Sequence, residues 1–413
     1  MSGLALDETS TTTPDRLMGA TTPGLGPRTE VLYEWWNVAL VKEYYRQLGE
    51  EEADAVRRVR REAVPGRDLV TGQVRHKPTT AEKLVQKKRE RRERLRLMCK
   101  RFFADEPEAS EQPIASNGKP TRNGPFRFHF NGKMRCVRIE YARMRKSGIG
   151  RRYPKNMPAI WRQGDEFMGE QDRLLAATAQ GMPKDVRKHC LPFLHDIDLK
   201  ACHPAILASK ARLFGITVPE LAWYVAHTDD CRQRVMEMHN VTRDQAKVLF
   251  TLLLYGGSYK HRVKKWGRVG PEAELIPAMT RLEAELKVLR DRVLKRPELK
   301  DLVEPIFEAE LKRKSNFDKD RLKTPEEAAR STWSQITQMW EDEALGCIQM
   351  AVEHQGLVVH SLMFDGLMVY HDPSVDLAEA MRVASDVIRE QTGMELVLEE
   401  KELFDRERMD AMV

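Results

Sequence analysis

Two aspartates and a stripe of cations carry the chemistry that this sequence offers. Asp198 lies at the end of the apolar run "FLHDIDL", and Asp365 lies between the runs "GLVVHSLM" and "GLMVY". The first pattern predicts a strand end and the second a hairpin tip, places where a rigid element presents a side chain to a cleft. Either carboxylate alone reads equally as a turn or cap residue. Together they form a donor set for Mg²⁺, which takes one or two protein carboxylates and leaves its other positions to water and substrate phosphates. With two ions roughly 3.5 to 4 Å apart, one activates an attacking hydroxyl and the other stabilises a leaving pyrophosphate.

Between the two aspartates stands "VTRDQAKVLFTLLLYGGS", residues 241 to 258. Arg243, Lys247, Thr251 and Tyr255 recur every fourth residue, so on a helix they form one slowly drifting stripe, cationic at one end and aromatic at the other. Ala246, Leu249, Phe250 and Leu253 fall on the opposite face, which lets the helix be packed from behind while the stripe faces a cleft. Arg243 and Lys247 would there clamp a triphosphate, whereas on an isolated surface helix they would only be solvated. Gly256 and Gly257 end the helix.

The remaining elements must position these groups. At 413 residues, 41% apolar and 32% charged, the chain can build two or three lobes around a substantial core. Its net charge of +6 is unevenly spread. Between Lys83 and Arg101 ten Lys or Arg stand against Glu90 and Glu93, which suits either a solvated helix or a phosphate-contacting surface with Lys87, Lys88, Arg91 and Arg94 at its centre. Six cysteines show no CxxC pair, and the group His189, Cys190, His195, Cys202, His203 has no zinc-like spacing. Residues 1–30 read as a flexible tail, and no apolar run approaches the roughly 20 residues of a membrane helix. The expectation is a soluble intracellular protein with no membrane partner.

Periodicity predicts helix from Val31 to about Arg61, then the basic helix, a Pro- and Gly-containing linker with a boundary near 125, and a hairpin in "FRFHFNGKMRCVRIEY". A strand through Asp198 then gives way to a helix after Pro204, helices fill much of 210–300, and a hairpin about Asp365, a helix over 375–391 and a strand in "MELVLEEKEL" finish the chain. Strands at both ends with helices inserted between them predict an α+β fold, a sheet with a separate helical lobe.

Taken in order, three stretches resemble motifs A, B and C of template-directed polymerases of the family A type. "DLKACHPAILA" is similar to motif A, "RDQAKVLFTLLLYGG" to the motif B helix and "MFDGLMV" to the motif C hairpin. "AQGMPKDVR" resembles the segment before motif A, and "SQITQMW" stands where the family has a helix touching the duplex minor groove. The likeness covers about 150–400. Thr251 replaces an aromatic, Phe364 a histidine and Gly366 an acid, while His203 stands where family A DNA polymerases have Glu. "HPAIL" is closer to family B, and "VTRxxxK" resembles single-subunit phage-type RNA polymerases.

The resemblance implies a right-hand fold: a helical, basic, thumb-like region with its linker over 31–125, palm over 126–209, fingers over 210–330, and palm again over 331–413. It implies Asp198 and Asp365 as ligands of two Mg²⁺ ions and, with Lys247, as catalytic residues. Asp196 is an alternative ligand that the register of motif A disfavours. Arg243, Lys247, Thr251, Tyr255 and His203 would bind the nucleotide, and Arg151, Gln180, Arg187 and Gln335 the nucleic acid. The expected activity is that of a compact DNA-directed DNA polymerase without proofreading; a single-subunit-type RNA polymerase and an inactive polymerase-fold scaffold are the alternatives. Expected partners are primer-template nucleic acid, nucleoside triphosphates and a processivity or host factor.

Overall fold

Alternation and register put both aspartates on one sheet. The computed structural model describes residues 29–62, 85–86, 89, 134–143, 151–155, 178–182, 184–266, 275–318, 320–401 and 404–407. Writing the strands as β1 (Thr29–Asn37), β2 (Met134–Arg143), β3 (Arg152–Lys155), β4 (Leu194–Leu199), β5 (Val359–Leu362), β6 (Gly366–Tyr370) and β7 (Leu398–Lys401), the larger sheet has the order β5-β6-β4-β7, all antiparallel. Every residue of β4, β5 and β6 is buried, as expected for central strands covered on both faces.

The chain leaves β4 and returns at β5 only after a helical excursion. Its helices are α3 (Cys202–Leu213), α4 (Pro219–Ala226), α5 (Thr228–His239), α6 (Arg243–Leu254), α7 (Tyr259–Lys265), α8 (Pro277–Val293), α9 (Lys300–Leu311) and α10 (Pro325–His354). The short α2 (Lys184–Cys190) precedes β4, and α11 (Leu377–Thr392) joins β6 to β7. The α+β class, the hairpin about Asp365 and the helical insertion therefore agree with the sequence reading. Among the described residues no helix is long and apolar enough to cross a membrane.

The start of the expected 31–61 helix is corrected. Residues Thr29–Asn37 are strand β1, and helix α1 occupies Val38–Glu62. Leu32, Glu34 and Trp36 alternate on a buried face, and a period of two defeats a helix even where aromatics are dense. β1 and β3 flank β2 in a second antiparallel sheet, whose edge strand β1 packs beside β5. The first half of the expected 126–141 hairpin lies outside the described residues, as do the tail, the 104–125 linker and the side chains of Lys87, Lys88, Arg91 and Arg94.

Glu34 lies wholly buried on β1, taking hydrogen bonds from the Tyr141 hydroxyl (2.7 Å) and the Ala179 amide (2.9 Å). Burial raises its pKa to about 7 despite those bonds. The folded chain thus holds a proton that the unfolded chain has released above pH 4.5, so stability is greatest below that pH and falls as pH rises through 7. Urea unfolding should show a loss on the order of 3 kcal/mol between pH 4.5 and 8, which Glu34→Gln should flatten. An equal slope in both proteins would remove Glu34 as its source.

Candidate active site

β4 and β6 bring the aspartates together. Asp198 pairs in register with Gly366, and the Leu199 amide donates to the Asp365 carbonyl at 2.9 Å. Gly366 explains why no acid follows Asp365: a Cβ there would stand 2.0 Å from the Ile197 carbonyl oxygen and 2.8 Å from the Asp198 Cα. Only glycine lets the two strands close this tightly. After β4 the chain turns through Ala201, a non-glycine residue with φ of 47°, and enters α3.

The floor is acidic, with basic groups drawn against its carboxylates. Burial and the charge of Glu341 push the Asp365 carboxyl up, against the opposing influence of His203 and Arg151. Asp196, on the same face of β4 as Asp198, is pushed up by burial and drawn back by Arg187 and Lys401. Asp198 is buried with the Lys401 ammonium against it. This chemistry fits Mg²⁺: oxygen donors whose charge burial penalises gain most from a divalent partner.

Helix α6 is built as its sequence suggests. Thr242 and Gln245 form a capping box, with the Gln245 amide donating to Thr242 Oγ1 at 3.2 Å and the Thr242 amide to Gln245 Oε1 at 2.8 Å. Gly256 N–H to the Leu253 carbonyl (2.9 Å) and Gly257 N–H to the Leu252 carbonyl (2.8 Å) close it as a Schellman motif, with Gly256 at φ 79°. Ala246, Leu249, Phe250 and Leu253 are buried, and Tyr224 stacks on Phe250 from behind. Arg243, Lys247 and Thr251 are exposed. Arg243 donates to Asp229 at 2.7 Å, Thr251 bonds back to the Lys247 carbonyl, and Lys247 lines a cavity with Tyr255.

Tyr255 joins the anticipated residues His203 and Arg151 through Glu341, which the sequence reading missed. Its hydroxyl lies 3.1 Å from His203 Nε2, which in turn lies 3.1 Å from Glu341. Glu341, on α10 and fully buried, takes a two-pronged ion pair from Arg151, whose second nitrogen is 2.8 Å from the carboxylate and 3.3 Å from His203. The Arg151 guanidinium covers the Phe364 ring, 4.8 Å from its centre, immediately before Asp365. Burial opposes the Glu341 charge, but hydrogen bonds from His203 and Arg151 outweigh it and hold the carboxyl below its ordinary value. Burial and Glu341 together raise the Tyr255 hydroxyl.

Adjacent residues repeat the pairing one step deeper. Asp342 takes Arg152 at 2.6 Å and Arg143 at 2.6 Å, which fastens the N-terminal sheet to α10 and delivers Arg151 to the site. A signal for Glu341 exists in the sequence. It falls on the apolar face of α10 with Ile336, Trp340, Leu345 and Ile348, where a carboxylate needs a partner.

Other anticipated residues are tied to neighbours within the fold, and Gln335 also lines the cavity with Lys247 and Tyr255. Gln180 is buried, donating to the Arg152 (3.2 Å) and Leu362 (3.0 Å) carbonyls. Arg187 donates to the Met182 carbonyl at 2.7 Å and faces Asp196. Gln335 is buried and donates to Glu310 at 2.8 Å. The histidine and cysteine group disperses: His189 stacks on Tyr44, and His195 bonds Glu400 and His371. Cys202, His203 and Glu341 do bring one donor atom each within 4.8 Å of one another, but the Arg151 guanidinium already neutralises that carboxylate.

No family model matches the chain. Over 206 residues it is 27% identical to "Putative helicase V13" of Sputnik virophage, a stretch that makes up 50% of this chain and 24% of that protein. The chain thus spans about a quarter of that relative's length. Among solved structures it is similar to the POL domain of Pol1 from M. smegmatis, in complex with DNA primer-template and dNTP, with a TM-score of 0.43 and 12% identity over 91% of this chain and 67% of that one.

Proposed function

We propose that this chain is a template-dependent nucleotidyltransferase that extends a nucleic-acid primer, a compact DNA-directed DNA polymerase. The register that sets Asp198 beside Asp365 on neighbouring strands, with the Arg151 guanidinium of the Tyr255–His203–Glu341 network lying over Phe364 immediately before Asp365, is the observation that carries this reading. A relative whose name describes work on nucleic acid agrees with that substrate class. In this reading the larger sheet is the palm, and α4 to α9 are the fingers.

Asp198 and Asp365 would hold two Mg²⁺ ions, which would supply activation of the primer hydroxyl and charge stabilisation of the leaving pyrophosphate. Lys247 and Arg243 receive the triphosphate, Arg243 exchanging its exposed pair with Asp229 for a phosphate. Exposed ion pairs of this kind are weak, so the exchange costs little. Tyr255 presents its ring to the base, and the imidazole of His203 fills the space beside the sugar.

Primer extension with dNTPs and rNTPs offered separately, on DNA and on RNA templates, tests the reading. No extension with any pair would leave only the scaffold alternative. The sugar preference follows from His203, held between Tyr255, Glu341 and Arg151 and so unable to swing from a 2′-hydroxyl. A contact worth about 3 kcal/mol gives a hundredfold preference for dNTPs. His203→Gly should reduce that preference at least about tenfold in single-nucleotide insertion kinetics. A wild type that already prefers rNTPs would favour the RNA polymerase alternative.

A further inference from the structure

The region between α9 and α10 has no role in the chemistry above, yet it is built with care. The described residues of the 312–323 segment are closed by a bridge between Lys314 and Leu322, by the Ser315 amide on the Arg321 carbonyl (3.0 Å) and by the Lys323 amide on the Arg313 carbonyl (2.9 Å). Two buried carboxylates hold it from below. Glu310 takes Arg313 (2.8 Å), Lys323 and Gln335, while Glu327 takes Arg321 (2.7 Å) and the Ser315 hydroxyl (2.8 Å). This rigid base supports an exposed aromatic: Phe317 is 80% exposed, with its amide tied to Ser315 Oγ at 3.1 Å.

A lone exposed Phe is ordinary. This one stands at the rim of a cavity of about 960 Å³ whose far wall is α6, with Lys247, Thr251 and Tyr255. Six cations line that cavity; Arg313 and Lys323 are paired with Glu310, and Glu327 is paired with Arg321, which leaves Lys247, Arg262, Lys314 and Arg330 as its surplus positive charge. A cationic channel with an aromatic at its mouth matches a single nucleic-acid strand: the cations follow the backbone and the ring stacks on a base.

Resting on the polymerase reading, we infer that this cavity carries the unpaired template strand toward Tyr255, and that Phe317 is a wedge which stacks on the template at the fork and parts it from a downstream strand. The protein then copies through duplex as well as open template. A rigid base is what such a wedge requires, because a ring on a yielding loop would retreat from the paired strand.

The test uses the full chain and forked DNA carrying 2-aminopurine at the first unpaired template position. Two quantities are read: fluorescence quenching on binding, and the ratio of extension through an annealed downstream strand to extension on open template. Phe317→Ala should weaken quenching and lower that ratio by about tenfold, and Phe317→Trp should restore both. A ratio and quenching equal to wild type in Phe317→Ala would overturn the wedge while leaving the polymerase reading intact. A wild type that extends neither template, with quenching still lost in Phe317→Ala, would retain the strand site and sink the polymerase reading instead. Quenching that Phe317→Ala does not change in such a protein would overturn both.

Discussion

Asp365→Asn should reduce nucleotide addition in Mg²⁺ by roughly a thousandfold, about 4 kcal/mol of transition-state stabilisation, while the folded protein becomes no less stable. The two halves of this expectation have one cause. Asp365 sits at a hairpin tip where burial and the nearby charge of Glu341 already raise its pKa, so without metal the charged form is the costly one. An amide of the same size removes that cost and keeps the hairpin, which closes through the Met363 amide on the Gly366 carbonyl and meets β4 through the Asp365 backbone carbonyl. It also removes the charge that would bind the ions. Thermal unfolding in EDTA should therefore give a Tm equal to or above wild type, and primer-template affinity, measured by anisotropy, should change less than about threefold. Turnover near the wild-type rate would remove Asp365 from the metal site.

What could be read from the sequence was what local rules determine. The α6 stripe, its buried back face and its Gly-Gly ending follow from spacing and cap chemistry within 18 residues, and the structure reproduces each. The hairpin at Asp365 was legible for the same reason. β1 was misread because dense aromatics suit either element, and the residue that betrays the strand is a buried Glu34 that hydropathy counts as exposed. Glu341 was missed because its partners, Arg151 and His203, lie 190 and 138 positions away in sequence. Gln335, expected at nucleic acid from its position in a motif, donates to Glu310 and lines the cavity that Lys247, Tyr255 and Phe317 share. Motif position names a neighbourhood; only tertiary contacts decide which way a side chain is turned.

Glu341→Gln gives the largest expected effect outside the two proposed metal ligands, because one buried carboxylate fixes both the His203 imidazole and the Arg151 guanidinium. Glu341 is fully buried, and the Arg151 side chain is 20% exposed, so removing the acid leaves a cation that water reaches only in part. Stripping one partner from a buried pair costs about 3 to 5 kcal/mol, and the solvent left at Arg151 brings the expectation to about 3 kcal/mol in urea unfolding at pH 7. The folded-state pKa of Glu341 is depressed, so this contribution is present above its unfolded value and is lost as acid titrates the carboxyl through its folded value. The gap between wild type and Glu341→Gln should accordingly narrow below about pH 4.5. Removing Arg151 as well takes away the stranded cation, so the double variant Glu341→Gln with Arg151→Met should be less destabilised than the sum of its parts, with a coupling of about 2 kcal/mol. Stability alone would fit a purely structural ion pair. The functional readout is selectivity: Glu341 has no substrate-facing atom, yet freeing His203 to swing should lower dNTP over rNTP discrimination at least about tenfold, as His203→Gly does. Unchanged discrimination beside a clear loss of stability would confine Glu341 to the framework and leave the orientation of His203 to Tyr255.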